Sequence, residues 1–198
     1  MEDQMFLDCF GCDIDYSLGK NFADFADQFS KDSRYRTELY KLRRKFMSHA
    51  DGLIHADLHT SNIMASRDKM KVIDMEFAFM GPFGYDLGYL VGNLISQYCA
   101  ACFKRFPSEQ SRKQFKAYLL ATIKSLIETY MKTFTLCWEK SVKERYRGQQ
   151  GLLQSILQEV MEDVPGYASM VNWFRSVSEI PYPDFDIIED KDAKRNAT

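Results

Sequence analysis

A mainly α-helical domain with a small β element is the fold class the sequence predicts, and three observations predict it. Apolar residues recur at three-and-four spacing from Asn21 to His49 and again from Leu87 onward. Short apolar runs between polar turns are confined to one stretch, from Leu53 to Ile73. No internal repeat, low-complexity segment or long linker interrupts the chain. Its 198 residues are therefore expected to form one domain around a sizeable core. The expected layout is leading helices over 1–50, chemistry-bearing loops over 51–86, a helical bundle over 87–180 and a tail over 181–198.

Each element has its own local reason. Residues 1 to about 20, with Cys9, Gly11, Asp13, Asp15 and Gly19, show no sustained period and read as irregular. Phe22, Phe25, Ala26 and Phe29 mark one helix, and Leu39, Leu42, Phe46 and Met47 a second, with a polar break over 31–36. Leu53-Ile54 is a short strand that delivers His55 and Asp57 into a loop. Residues 63–65 form a strand after that loop, 66–69 a polar turn, and 70–73 a return strand ending at Asp74. Gly81-Pro82-Phe83-Gly84 is a turn signal. Asp86 then opens an amphipathic helix to about Phe103, with Leu87, Leu90, Val91, Leu94, Ile95 and Tyr98 on its apolar face. Pro107-Ser108 breaks the chain before a long helix over 109–145, whose stripe is Phe115, Leu119, Ile123, Ile127, Tyr130 and Phe134. A further helix covers 152–161 and ends at Val164-Pro165-Gly166, and another runs from Tyr167 to about Glu179 before Pro181-x-Pro183. The charged tail is expected to fray.

Composition excludes several classes of function. A net charge of -2 and a pI near 6.0 leave no basic excess for a nucleic-acid partner. The opening MEDQMFLDCF lacks the layout of a signal peptide, and no apolar run approaches membrane-spanning length, so no membrane partner is expected and cytosol is the default compartment. Five cysteines, an odd number, argue against a disulfide framework. Cys9/Cys12 and Cys99/Cys102 form two C-x-x-C pairs, but far more than the ~15–20 residues of a zinc ribbon separate them. Cys99 and Cys102 sit in an apolar helical run, where thiols behave as small buried hydrophobes.

The chemistry concentrates in GLIHADLHTSNIMASRDKMKVIDMEFAFMGPFGYDLGYLVG, residues 52–92. Asp57, an asparagine five residues later, and an acid ending an apolar strand form the set that phosphoryl transfer needs. One carboxylate orients the acceptor hydroxyl and takes its proton, and hard oxygen ligands hold magnesium against phosphate. Asp57 is the candidate base. Asn62 and Asp74 are the candidate metal ligands, and Glu76 is a further ligand or the holder of a metal-bound water. His55 reads as structural, an imidazole that bonds nearby backbone and shapes the loop. His59 is chemically able to meet phosphate, but an exposed loop histidine usually does nothing special. Asp86 has two readings, helix N-cap and acid steadying the catalytic loop. His49 and the basic cluster Lys41, Arg43, Arg44 and Lys45 read as cations favoured by a helix C-terminus and a solvated face, with phosphate attraction the alternative for the cluster.

LIHADLHTSNIM followed by KVIDMEFAFMGPFGYDLGYLVGNLI resembles the methylthioribose kinases, most closely from Asp74 to Asp86, with weaker similarity continuing to Glu189. The resemblance implies a protein-kinase-like fold and ATP- and Mg2+-dependent phosphorylation of the 1-hydroxyl of 5-methylthioribose, a step of methionine salvage. It implies Asp57 as base and Asp74 and Glu76 as metal-binding acids. Ala56 stands where the family has glycine, and Ser61-Asn62 replaces its usual Gly-Ser, as in the wider choline and aminoglycoside kinase group. The family's sugar-binding arginine pair corresponds here to Asn172 and Trp173, with Arg175 nearby, so Trp173 and Arg175 are the substrate-binding candidates. Only about fifty residues precede His55, and they carry no Gly-rich loop followed by strand and lysine. The expectation is therefore the C-terminal lobe of the fold with its N-terminal lobe absent. Three functions fit: such a kinase acting on a small-molecule substrate, a choline- or aminoglycoside-type kinase, and a non-catalytic pseudokinase-like binding or dimerisation module. A homodimer or a separate N-terminal lobe is the expected protein partner.

Overall fold

A computed structural model describes residues 5–6, 24, 27–177, 185, 188 and 190–197. The expected irregular start, with Cys9 and Cys12, most of the first predicted helix, and the Pro181-x-Pro183 breaker lie outside the described residues. Five helices and four short strands organise what is described: α1 (Ser33–Ser48), β1 (Gly52–Ile54), β2 (Ile63–Ala65), β3 (Met70–Val72), β4 (Phe79–Gly81), α2 (Gly84–Ala100), α3 (Glu109–Ser141), α4 (Gln150–Val177) and α5 (Lys191–Ala197). A 3-10 turn, Thr60–Asn62, precedes β2. The mainly helical class with a small β element is as expected.

Capping sets where the helices begin. Asp32 accepts hydrogen bonds from the backbone N–H groups of Arg34 and Tyr35, so α1 starts at Ser33 and the expected break over 31–36 shrinks to Lys31-Asp32. Ser108 caps α3 in the same way, accepting from the Ser111 N–H at 3.1 Å. The predicted α3 stripe faces inward, yet among its members only Leu119 is fully buried, because α3 lies at the edge of the bundle.

The strands form two separate antiparallel pairs. β1 pairs with β4, setting Gly52 opposite Gly81 and Ile54 opposite Phe79. β2 pairs with β3, setting Ile63 opposite Val72 and Ala65 opposite Met70. β4 was not expected from the sequence. Its three residues run straight into the Gly81–Gly84 turn, and strand pairing with β1 is what holds them extended.

α2 is the central element, and it is buried almost all round rather than on one face. α4 packs along it closely enough that a Cβ at Gly88 would stand 2.6 Å from Tyr167 Cβ, and one at Gly92 would stand 2.8 Å from the Ala168 carbonyl oxygen. This contact also overrides the predicted break at Val164-Pro165-Gly166. α4 runs unbroken through Pro165, since Val160, Val164, Ala168 and Val171 must line up to reach α2. Burying each of the three valines is worth ~1.5–3 kcal/mol, which together exceeds the ~3 kcal/mol that proline costs inside a helix. The largest core cluster joins Phe46 of α1, Tyr85 and Tyr89 of α2, and Tyr167, Met170 and Trp173 of α4.

Two smaller expectations are corrected. The tail is not wholly frayed: Phe185, Ile188 and Ala197 are buried beside Ala100, and α5 forms. Lys45, read as part of a solvated cluster, bridges Asp163 and Glu159 of α4 at 2.8 and 2.7 Å.

Candidate active site

β1 ends at Ile54, and the next two residues are fixed by a single carboxylate. The backbone N–H groups of His55 and Ala56 donate to Asp86 Oδ2 and Oδ1 at 2.6 and 2.9 Å. Asp86 lies in the first turn of α2, whose N-cap residue is Phe83. Of its two readings the cap is therefore incorrect, and the carboxylate steadies the loop. Asp86 gains its acceptors' partners at a cost. Burial pushes its carboxyl above the ordinary carboxylate value, although the two N–H bonds pull it down.

Ala56 then takes a left-handed backbone angle, φ 68°, which turns the chain so that Asp57 leaves the β1 direction. Asp57 is half-buried and held at both carboxylate oxygens. Tyr89 of α2 donates its hydroxyl to Oδ1 at 2.8 Å, and His59 Nε2 lies 3.5 Å from Oδ2. Burial pushes the Asp57 carboxyl up, but the hydrogen bonds from His59 and Tyr89 and the two neighbouring imidazoles outweigh it and hold the group below its ordinary value. Asp57 is thus an anion over the whole neutral range, oriented but not sealed.

His55 is buried and bonds backbone on both sides of the site. Its Nε2 is 2.8 Å from the Ile73 carbonyl oxygen, and its Nδ1 is 3.3 Å from the Asp57 backbone nitrogen. A carbonyl only accepts, so Nε2 carries the hydrogen and Nδ1 accepts from Asp57. The imidazole therefore ties the Asp57 loop to the end of β3.

Asn62 completes the connection. Its Nδ2 donates to the Asp57 carbonyl at 3.1 Å, and its own carbonyl accepts from the Ile73 N–H at 3.0 Å. Asp74 follows directly, exposed and in a left-handed conformation with φ 65°. The amide nitrogen of Asn62 is committed to the loop, so its Oδ1 is the atom suited to a metal. Asn62 Oδ1 and the exposed Asp74 carboxylate are hard oxygen donors of the kind magnesium takes alongside phosphate and water. They fit that ion as a partial ligand set. Among the described residues no group of three or more His, Cys, Asp or Glu side chains is placed to hold a metal ion. Glu76 is exposed in the turn after Asp74.

The structure therefore brings Asp57, His55, Asn62 and Asp86 into one bonded assembly, with the exposed Asp74 next to Ile73, which that assembly holds. Trp173 and Arg175 are both buried on α4, and the Trp173 ring lies against Phe29 at the main core, with centroids 4.7 Å apart and planes tilted by 45°. Asn172 accepts a hydrogen bond from Ser96 of α2 at 2.6 Å. Three site residues were missed from sequence: Tyr89, which holds Asp57; Asn93, whose Oδ1 accepts from the Thr60 N–H at 2.9 Å; and Thr60 itself. A signal existed. Asp86, Tyr89 and Asn93 recur at three-and-four spacing on an otherwise apolar helix, and a polar face buried within a core marks a second function for that face.

Comparison with known proteins identifies the family. The APH family model, described as the phosphotransferase enzyme family, matches residues 15–126, which include every residue of the bonded site. The chain belongs to the APH phosphotransferase family. Among similar proteins, the methylthioribose kinase of Geobacillus thermodenitrificans (strain NG80-2) is 35% identical over 204 residues, covering 99% of this chain and 48% of that protein. The methylthioribose kinase of Geobacillus sp. (strain WCH70) is 32% identical over 196 residues, covering 99% and 46%. That of Geobacillus kaustophilus (strain HTA426) is 35% identical over 204 residues, covering 99% and 48%. The chain spans about half the length of the curated relatives it matches. No helix among the described residues is long and apolar enough to cross a membrane.

Proposed function

We propose that this chain carries the base and metal-binding half of an ATP- and Mg2+-dependent kinase for a small-molecule hydroxyl, with the 1-hydroxyl of 5-methylthioribose as acceptor. The observation that carries the reading is the position of Asn62, bonded at once to the Asp57 loop and to Ile73 beside Asp74. It supports reading Asp57 as base and Asn62 and Asp74 as metal ligands that share one frame. In this reading Asp57 accepts the hydroxyl proton, while Asn62 and Asp74 hold the metal that neutralises phosphate charge, and Glu76 is a further ligand or the holder of a metal-bound water. The methylthioribose kinases that resemble it over 99% of its length support the choice of acceptor.

The fold class is accordingly read as the C-terminal lobe of a protein-kinase-like fold, and the surface beside the site supports a lobe partner. Leu53, Met64, Met70, Met75, Phe77 and Met80 are each between 43% and 70% exposed, a large apolar share for strands and turns next to a charged site. Isolated two-stranded pairs are only marginally stable in water, so a covering lobe would stabilise β1–β4 and β2–β3 together.

The test is calorimetric and kinetic. Mg-ATP binding by the chain, and ADP release with methylthioribose but not with choline or an aminoglycoside, are expected once a lobe bearing the phosphate-gripping lysine is supplied. Asp57→Asn should keep Mg-ATP binding and lose at least ~100-fold in turnover. Unchanged turnover in that variant would remove Asp57 from the base role, and turnover with choline alone would replace the acceptor.

A further inference from the structure

The Cys99/Cys102 pair lies outside the phosphotransferase site and has features that packing does not require. Cys99 is in the last turn of α2, and the chain leaves the helix through a turn in which the Cys102 N–H donates to the Cys99 carbonyl at 3.1 Å. A turn closed by that bond keeps its end Cα atoms within ~7 Å, and a disulfide spans Cα separations of ~4.4–6.8 Å. Cys102 is exposed and Cys99 half-buried, so the pair is not the buried hydrophobe expected from the sequence.

Lys116 of α3 reaches across to this turn. Its Nζ stands 3.0 Å from Cys102 Sγ and 4.3 Å from the centroid of the Tyr98 ring, which hold the ammonium against the sulfur. In front of the contact is an open basin of about 440 Å3, within the ~300–1,000 Å3 of small-molecule sites. Arg112, Lys113 and Lys116 line it against one carboxylate, Glu109, which pairs with Arg112 at 2.9 Å. An exposed thiol, a cation on its sulfur, a second thiol one turn away and a cationic basin together describe a site for an anionic disulfide.

We propose that Cys99 and Cys102 are a dithiol–disulfide pair in which Cys102 exchanges first with a small carboxylate-bearing disulfide of the oxidised-glutathione class and Cys99 resolves the adduct. Cys102 gives its proton to water and, beside the Lys116 ammonium, attacks one sulfur of the reagent. A Cys102–S–S–R bond forms, the reagent's S–S bond breaks and one R–S⁻ leaves. Cys99 then gives its proton to water and attacks the Cys102 sulfur, so the mixed bond breaks and a second R–S⁻ leaves. The protein loses two electrons and two protons, and the reagent is reduced to two thiols. The order of attack agrees with the environment: burial pushes the Cys99 thiol up, aided by the neighbouring Cys102, which keeps it protonated until the adduct forms beside it.

The test treats the full chain with oxidised glutathione, blocks remaining thiols under denaturing conditions and reads tryptic peptides by mass spectrometry. Residues 72–104 form one tryptic peptide containing both cysteines, which separates them from Cys9, Cys12 and Cys137. The wild type is expected to lose two hydrogens in that peptide without a retained adduct. Cys99→Ser should stop at a stable glutathione adduct on Cys102, and Lys116→Gln in that background should slow adduct formation about three- to tenfold. Cys137, exposed on α3 outside the basin, is the internal control. An adduct that persists on Cys102 in the wild type, modification of Cys137 at the same rate, or an unchanged rate in Lys116→Gln each overturns the proposal.

Discussion

Replacing Asp86 with alanine is expected to cost the domain about 2–4 kcal/mol and to release the backbone that carries the site. The magnitude follows from two hydrogen bonds. Asp86 accepts from the His55 and Ala56 N–H groups at 2.6 and 2.9 Å, and those residues are 5% and 0% exposed. Water does not reach such donors, so each one left without an acceptor costs ~1–3 kcal/mol. Part of that sum is offset, because burial already holds the Asp86 carboxyl above its ordinary value and its removal relieves a desolvated charge. Urea unfolding followed by circular dichroism reads the loss directly: at a slope of ~2 kcal/mol/M the midpoint should fall by about 1–2 M. Hydrogen exchange supplies the local readout, since the amides of residues 55 and 56 should lose protection before the helices do. Asp86→Asn retains one acceptor oxygen but turns an NH2 group toward the second donor, so about half the loss is expected. A stability loss below ~0.5 kcal/mol in Asp86→Ala, with both amides still protected, would refute the reasoning.

Three further outcomes follow from individual contacts. Tyr85 is wholly buried and its hydroxyl has no hydrogen-bond partner among the described residues, so Tyr85→Phe should stabilise by about 1 kcal/mol, seen as a Tm rise of ~2–4 °C. Lys45→Met leaves the buried Asp163 carboxylate without its cation and should cost about 2–3 kcal/mol at pH 8. Burial already raises the Asp163 value and loss of Lys45 raises it further, so that contribution falls as pH rises, and melts at pH 5 should show a smaller penalty than melts at pH 8. Asp57 has the opposite sign. Its folded value is lowered from 3.8, so its stabilising contribution is present above that pH and is lost as pH falls through the lowered value; the stability difference between wild type and Asp57→Asn should shrink on acidification below pH ~4 in denaturant titrations.

Much of the site was legible because its residues are close in sequence. The spacing from His55 through Asp57 and Asn62 to Asp74 brackets two short strands and a turn, and antiparallel pairing of those strands returns Ile73, the residue before Asp74, to Asn62. The helical class was equally legible from period, as were the starts of α1 and α3, where Asp32 and Ser108 carry local capping chemistry. β4 was not legible, since three residues beside a glycine turn have no period of their own and are held by β1 across the chain. Nor was the continuity of α4. Local chemistry at Pro165-Gly166 favours a break, and only the row of contacts with α2 outweighs it.

The helical class, the proposed kind of chemistry and the stretch that holds the candidate site were all readable from the sequence by itself, because these depend on residue types and short spacings. Only the tertiary structure decided how the loop is held. Asp86, Tyr89 and Asn93 come from thirty or so residues downstream of His55, Asp57 and Thr60 and meet them through the packing of α2. It also decided that Trp173 is packed in the core and that Cys102 faces Lys116 of another helix. Contacts between elements depend on how helices cross and which faces they bury, and a linear pattern carries that information only weakly.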